Sequence, residues 1–181
     1  RITVGGSFVS KYQEDNSSNF VLPENVGAGG GRVSLFRGNF SAQAEYVYKA
    51  NDPSADNLYI YKPGQGLFLS TSYSKRGFGI TLSAKSIDNM SFRSDRDESV
   101  NNLLINFLPA LTKQHTYNLI ATLYPYATQL NGENAYQADF IYKFKRNTPL
   151  GGKYGTTVAI NYASVYGLDT TNLNDLNTRR L

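Results

Sequence analysis

Cysteine and tryptophan are both absent from this chain, and histidine and methionine occur once each. Without cysteine there are no disulfide staples and no thiolate metal sites, while the redox compartment stays open. The lone His115 lacks a second histidine or any cysteine to complete a metal site, so no metal and no cofactor are expected. Long apolar runs are missing too. No stretch of about eighteen apolar residues exists, which excludes transmembrane helices. A mean hydropathy of −0.40 is low for a helical membrane protein. A membrane β-barrel escapes that test, because half of each spanning strand faces a lumen and can be polar. No signal peptide is visible. The chain opens on Arg1-Ile2-Thr3-Val4, already inside an apolar alternation, so any leader is expected to have been removed or to lie upstream.

Charge of either sign is sparse, at 18% of residues, with a formal net charge of +4. The Lys and Arg residues are distributed over loops, turns and polar strand faces. They form no basic stripe and flank no aromatic platform, so they read as solvated surface and no nucleic-acid partner is expected.

What the chain has is alternation. Residues 40–49 put Phe40, Ala42, Ala44, Tyr46 and Tyr48 on one side and Ser41, Gln43, Glu45, Val47 and Lys49 on the other. Residues 136–145 repeat the pattern, with Tyr136, Ala138, Phe140, Tyr142 and Phe144 set against Gln137, Asp139, Ile141, Lys143 and Lys145. Nine such strands are predicted, at 2–12, 31–37, 40–49, 67–75, 78–86, 102–108, 116–126, 136–145 and 154–166. Their connections alternate in length. Those at 37–39 and 75–77 are tight and contain Gly, those at 109–115 and 146–153 are somewhat longer, and those at 13–30, 50–66, 87–101 and 127–135 are polar and mostly larger. The segment 34–40 is echoed by 72–78, a hairpin-level repeat of the kind meanders show.

Segments of about ten residues with aromatic ends, short turns at one side and long loops at the other are what an outer-membrane barrel requires. The fold expected is therefore all-β: a single antiparallel up-and-down transmembrane β-barrel domain over 1–181, or a contiguous segment of a larger one. With tight turns placed on the periplasmic side, Phe40, Phe78, Tyr117, Tyr142, Phe144 and Tyr154 fall at the inner membrane interface. Tyr46, Tyr48, Tyr124, Tyr126, Tyr136, Tyr162 and Tyr166 then fall near the outer rim. Charges on a lipid-facing side are costly, so Glu45, Lys49, Lys85, Asp139 and Lys143 are the candidate lumen-lining residues.

The segments 86–94 and 104–117, with 51–57 and 150–155, resemble an uncharacterised family of Bacteroidota outer-membrane β-barrel proteins. The resemblance covers about residues 27–166 and implies a porin-like barrel in the outer membrane, without assigned catalytic residues or substrate. Members of that family are longer. An odd number of strands and a polar end at residues 177–181 agree with a partial chain.

Other constellations point more weakly to chemistry. His115 is predicted in an inner turn, away from the outer rim where a hydrolase would place its base, and no catalytic residue is expected. Asp95, Asp97 and Ser99 alternate as Ca²⁺ ligands can, but Arg93 and Arg96 oppose a cation and the Gly and Glu of an EF-hand loop are missing. A loop with local ion pairs is expected there, and turn chemistry at 51–57. The glycine run 27–31 lacks the Lys-Ser/Thr pair and following helix of a phosphate loop, and reads as a flexible loop entering a strand. The function expected is a non-enzymatic porin-like channel, or a barrel that passes or binds small solutes. A scaffold barrel in a multi-protein assembly is the alternative, with outer-membrane proteins or lipoproteins as partners besides the bilayer and loops 50–66 and 87–101 as contacts. A hydrolase ranks third.

Overall fold

The computed structural model describes residues 1–98, 102–112 and 127–168. Alternating side chains and few helix formers give seven strands: β1 (Ile2–Tyr12), β2 (Asn25–Arg37), β3 (Phe40–Lys49), β4 (Gly64–Lys75), β5 (Phe78–Asp88), β6 (Gly132–Lys143) and β7 (Thr157–Gly167). They form one antiparallel meander in sequence order, β1 to β7, and β1 and β7 are not paired with each other. The sheet is thus all-β and up-and-down, and it is open. Strands of ten to thirteen residues are roughly 33–43 Å long at about 3.3 Å per residue. The one helical element described is a 3-10 turn, Ala55–Asn57, and no described helix is long and apolar enough to cross a membrane.

Two of the connections at one end are hairpin turns in which Gly38 (φ 58°) and Gly77 (φ 79°) take the left-handed backbone that a tight reversal needs. The third is the longer stretch 144–156. At the other end lie 13–24, 50–63 and the long connection between β5 and β6. This end also holds the core. Its buried apolar residues are Val26, Ile87 and Ala135 from the strands and Leu22, Ile60, Met90, Phe92 and Leu111 from the loops.

Three sequence expectations need correction. The glycine run 27–31 is paired strand, with Gly27–Gly31 opposite β1 and Ala28–Gly31 also opposite β3. Its composition hides a steric demand: a Cβ on Gly30 would stand 2.5 Å from Val47 Cγ1 and 2.9 Å from the Tyr46 carbonyl oxygen. Only glycine lets β2 and β3 approach so closely there. Second, residues 102–108 are not a strand. Leu104 makes a single bridge to Arg93, Leu103 takes φ 50°, and the Asn106 amide turns back to donate to the Met90 carbonyl. The short alternation there serves a folded loop instead of a ladder. Third, β1 and β3 keep their expected bounds while the other five strands shift: β2, β4 and β6 start earlier, β5 and β7 end later, β6 ends earlier and β7 starts later than alternation alone suggested. β5 pairs directly with β6 over eleven positions, from Phe78↔Tyr142 to Asp88↔Gly132. The expected strand 116–126, with Tyr117, Tyr124 and Tyr126, and the expected turn residue His115 lie outside the described residues.

Candidate functional site: a polar face and its loop cap

Residues directly opposed in an antiparallel sheet share a face, so the register sorts every side chain. One face is apolar. At successive levels it carries Val33, Ala44, Leu69, Ala84 and Tyr136, then Leu35, Ala42, Thr71, Leu82, Ala138 and Tyr162. Short Ala42, Ala44, Ala84 and Ala138 between taller neighbours leave an open trough of about 810 Å³ across this face. No second layer covers it among the described residues, and Leu69, Leu82 and Ile160 are exposed.

The interface aromatics sort by the same rule. Phe40, Tyr46, Tyr48, Phe78, Tyr142 and Tyr162 all stand on the apolar face. Phe40, Phe78 and Tyr142 are at the tight-turn end, and Tyr46 and Tyr48 toward the loop end. Tyr162 is opposite Ala138, halfway along β7, and so lies away from the rim where sequence placed it. Phe144, just beyond β6, packs edge-on against Tyr142 at 4.8 Å, and exposed Tyr154 lies in the connection to β7 under the Lys153 ammonium.

The opposite face is polar, and the five charged candidates Glu45, Lys49, Lys85, Asp139 and Lys143 all stand on it. Hydroxyls and amides pair across its strands: Ser41 with Ser72 at 2.7 Å, and Ser70 with Ser83 at 2.9 Å. The Gln137 and Asn161 amides donate to Asp139 at 2.8 and 2.9 Å. Glu45 is exposed beside Arg32 on β2 and Phe68 on β4, and Lys143 is exposed near the tight turns.

Lys49 and Lys85 stand apart from the other three, because loops fold over their end of this face. Lys49 is fully buried and its ammonium donates to the Ser91 carbonyl at 2.6 Å. Lys85 meets Glu133 at 2.8 Å and donates to the Pro109 carbonyl and the Thr128 hydroxyl. Lys11 forms a buried ion pair with Asp52 at 2.9 Å and lies 5.5 Å from the Phe92 ring centre.

Sequence reasoning missed this cap, although its two oxygen-rich segments are its halves. From 51–57, Asp56 accepts from Arg93 Nε at 2.6 Å and from the Ser91 hydroxyl at 2.7 Å, and Asn57 bridges the Asp52 carbonyl and Asn89. From 89–98, Arg96 joins three loops. Its N–H donates to Gln13, its carbonyl accepts from Ala55 and its guanidinium donates to the Pro23 carbonyl at 2.6 Å. Asp95 and Asp97, considered for a cation, are engaged by Gln13 and the Tyr59 hydroxyl, and no cluster of three or more metal-ligating residues occurs among the described residues. The Tyr59 hydroxyl is held protonated above its ordinary range, mainly by donating to Asp97. Asp15 is held below the usual carboxylate range by backbone N–H donors of Leu22 and Ser17. A polarity alternating with i+2 spacing marks strands, but no local signal announces that two loops will interlock.

What the arrangement offers chemically is a ladder of hydroxyls, amides and charges on one face, closed at one end by a buried ionic lid. No curated protein and no solved structure matches the chain. Residues 1–180 match the sequence profile of the Family of unknown function (DUF6029), and the chain belongs to that family.

Proposed function

We propose that the chain is an outer-membrane β-barrel protein, or a segment of one, whose apolar face meets lipid and whose polar face lines a lumen for small solutes. The observation that carries this reading is the two-faced, single-layer sheet. A soluble sheet buries its oily side under another layer. Here Val4, Val33, Tyr46, Leu69, Leu82, Tyr136 and Tyr162 are exposed, one from each strand of the meander. Contiguous apolar patches of that breadth mark a membrane or partner surface. Strands of ten to thirteen residues fit the roughly nine to eleven a tilted spanning strand needs, with some excess. The trough between the alanines suits acyl chains, and the polar face, wet and hydrogen-bonded, suits a lumen. The mechanism is non-enzymatic: diffusion or binding along Glu45, Asp139, Lys143 and Arg32, with the cap narrowing one mouth.

The test has two parts. The purified protein is expected to need detergent to stay in solution, and a monomer soluble without it would sink the barrel reading. Reconstituted full-length protein is expected to give single-channel steps in planar bilayers. A second reading, a scaffold barrel within an outer-membrane assembly, is favoured by the crest of the cap. There Phe20 and Tyr59 stack at 4.8 Å beside exposed Val21, Leu58 and Tyr61, an apolar cluster a protein or lipoprotein partner would cover. Detergent-solubilised protein that conducts nothing but co-purifies with a stoichiometric partner would select it.

A further inference from the structure

The basic residues, dispersed in sequence, are gathered by the fold at one end. Arg1 and the connections 37–39, 75–77 and 143–157 converge at the tight-turn end, where they carry eight Lys or Arg and no Asp or Glu. Counted in the same way, with the terminal residue of each strand included, the described segments at the loop end, 12–25, 49–64, 88–98, 102–112 and 127–132, carry nine Asp or Glu and four Lys or Arg. Cations that read as scattered in sequence are therefore gathered at one end by folding, where they stay exposed. All eight turn-end cations are exposed, and none forms an ion pair among the described residues.

Their placement on the faces narrows the partner. Arg37 is directly opposite Phe40, and Lys75 directly opposite Phe78, so both cations stand on the apolar face at its rim. Beside them Tyr73, Phe78 and Phe140 form a chain of ring contacts at 6.2 and 5.6 Å. Lys153 lies over the Tyr154 ring on the third connection. An apolar band edged by aromatic rings and then by cations is the order in which a membrane presents acyl chains, interface and headgroup phosphates. The opposite rim of the same face ends in Tyr12, Tyr48, Gln65 and Asp88, so the cationic edge belongs to one side alone.

We infer that the tight-turn end is an anionic-phospholipid docking edge, with Arg37 and Lys75 engaging headgroup phosphates of the leaflet at that end. This rests on the barrel reading for the depth of the apolar face, and its test separates the two. Protein folded in dodecyl maltoside micelles is titrated with phosphatidylglycerol or with phosphatidylcholine, and the melting midpoint is followed by circular dichroism. Phosphatidylglycerol is expected to raise the midpoint and phosphatidylcholine to leave it unchanged, because only a ligand of the folded state stabilises it. The double variant Arg37→Gln/Lys75→Gln, which removes two cations that form no ion pair among the described residues, is expected to melt normally without lipid and to bind phosphatidylglycerol about thirtyfold more weakly. Salt near 1 M, with a Debye length of about 3 Å, is expected to abolish the preference. Equal stabilisation by both lipids, full binding by the double variant, or a preference for lipopolysaccharide would overturn the inference. If the chain proves soluble without detergent, the barrel reading fails, and flotation with phosphatidylglycerol vesicles decides the docking edge alone. Salt-sensitive co-flotation then supports it, and its absence overturns it.

Discussion

Lys85→Met removes the cation from a buried ion pair of the cap and gives the sharpest test of how the cap is held. Glu133 is fully buried and 2.8 Å from the Lys85 ammonium, and its other oxygen accepts from the Gln129 N–H at 2.8 Å. Deleting the lysine leaves a buried carboxylate with one neutral donor, a situation that costs about 3–5 kcal/mol. Glu133→Gln is milder, about 1–3 kcal/mol, because the stranded ammonium keeps the Pro109 carbonyl and the Thr128 hydroxyl. The double variant Lys85→Met/Glu133→Gln removes both charges, so it is expected to lose at least about 2 kcal/mol less than the two singles added together. Denaturant unfolding in detergent gives the global values. Amide exchange reports whether the cap opens alone, because Asn89 and Met90 N–H groups bond to the Asn131 and Leu130 carbonyls across the same junction. Single variants within about 0.5 kcal/mol of the parent, strictly additive and with unchanged exchange, would refute the view that this pair secures the cap.

Face assignment is tested by Leu69→Arg against Ser70→Arg: the first, on the apolar face of the central strand, is expected to lose about 2–4 kcal/mol in bilayers and the second less than about 1, and the reverse order would invert the two faces. Gly30→Ala is expected to cost about 1–3 kcal/mol in denaturant melts, and a Val47→Ala background to recover only part of it, since the Tyr46 carbonyl stays 2.9 Å from the new Cβ. Asp15 has its carboxyl depressed on folding, so its ordering of residues 15–22 is fully present above the ordinary Asp pKa and lost as pH falls through the lower folded value. Leu22 and Ser17 amides are therefore expected to lose exchange protection in acid, and Asp15→Ala to show weak protection at every pH.

Strand identity was legible because period-two alternation is a local property: residues 40–49 and 78–86 declare their two faces without reference to anything distant. Where tertiary contact decided, the same signal failed. The glycines of 27–31 look like a loop by composition, yet the missing side chains of Gly27 and Gly30 answer Phe8 on β1 and Val47 on β3, which local sequence does not show. Residues 102–108 alternate as well as many strands, but the Ser94 N–H and the Phe92 carbonyl take the Leu103 carbonyl and the Ile105 N–H in the cap, and no adjacent strand among the described residues competes. The clustering of cations was invisible for a similar reason, because Arg1, Arg76 and Lys153 come to the same end of the sheet only when three hairpins align their turns.

The cap also changes which charges can act on a solute. Charge on the polar face was treated in sequence as one set, but Lys49 and Lys85 spend their hydrogen bonds on Ser91, Pro109, Thr128 and Glu133 and are withdrawn from solvent. Glu45, Arg32 and Lys143 remain exposed, and Asp139 is half-buried between two amides that fix its orientation. If the polar face lines a lumen, selectivity resides in that second set, at mid-strand and toward the tight turns, while the first set controls how far the mouth is open. Glu45→Gln is then expected to shift the anion-to-cation permeability ratio with little change in stability. Lys85→Met is expected to do the opposite: to alter conductance through loosening of the cap while leaving the ratio nearly fixed. A ratio that responds to Lys85→Met and ignores Glu45→Gln would reverse this division of labour.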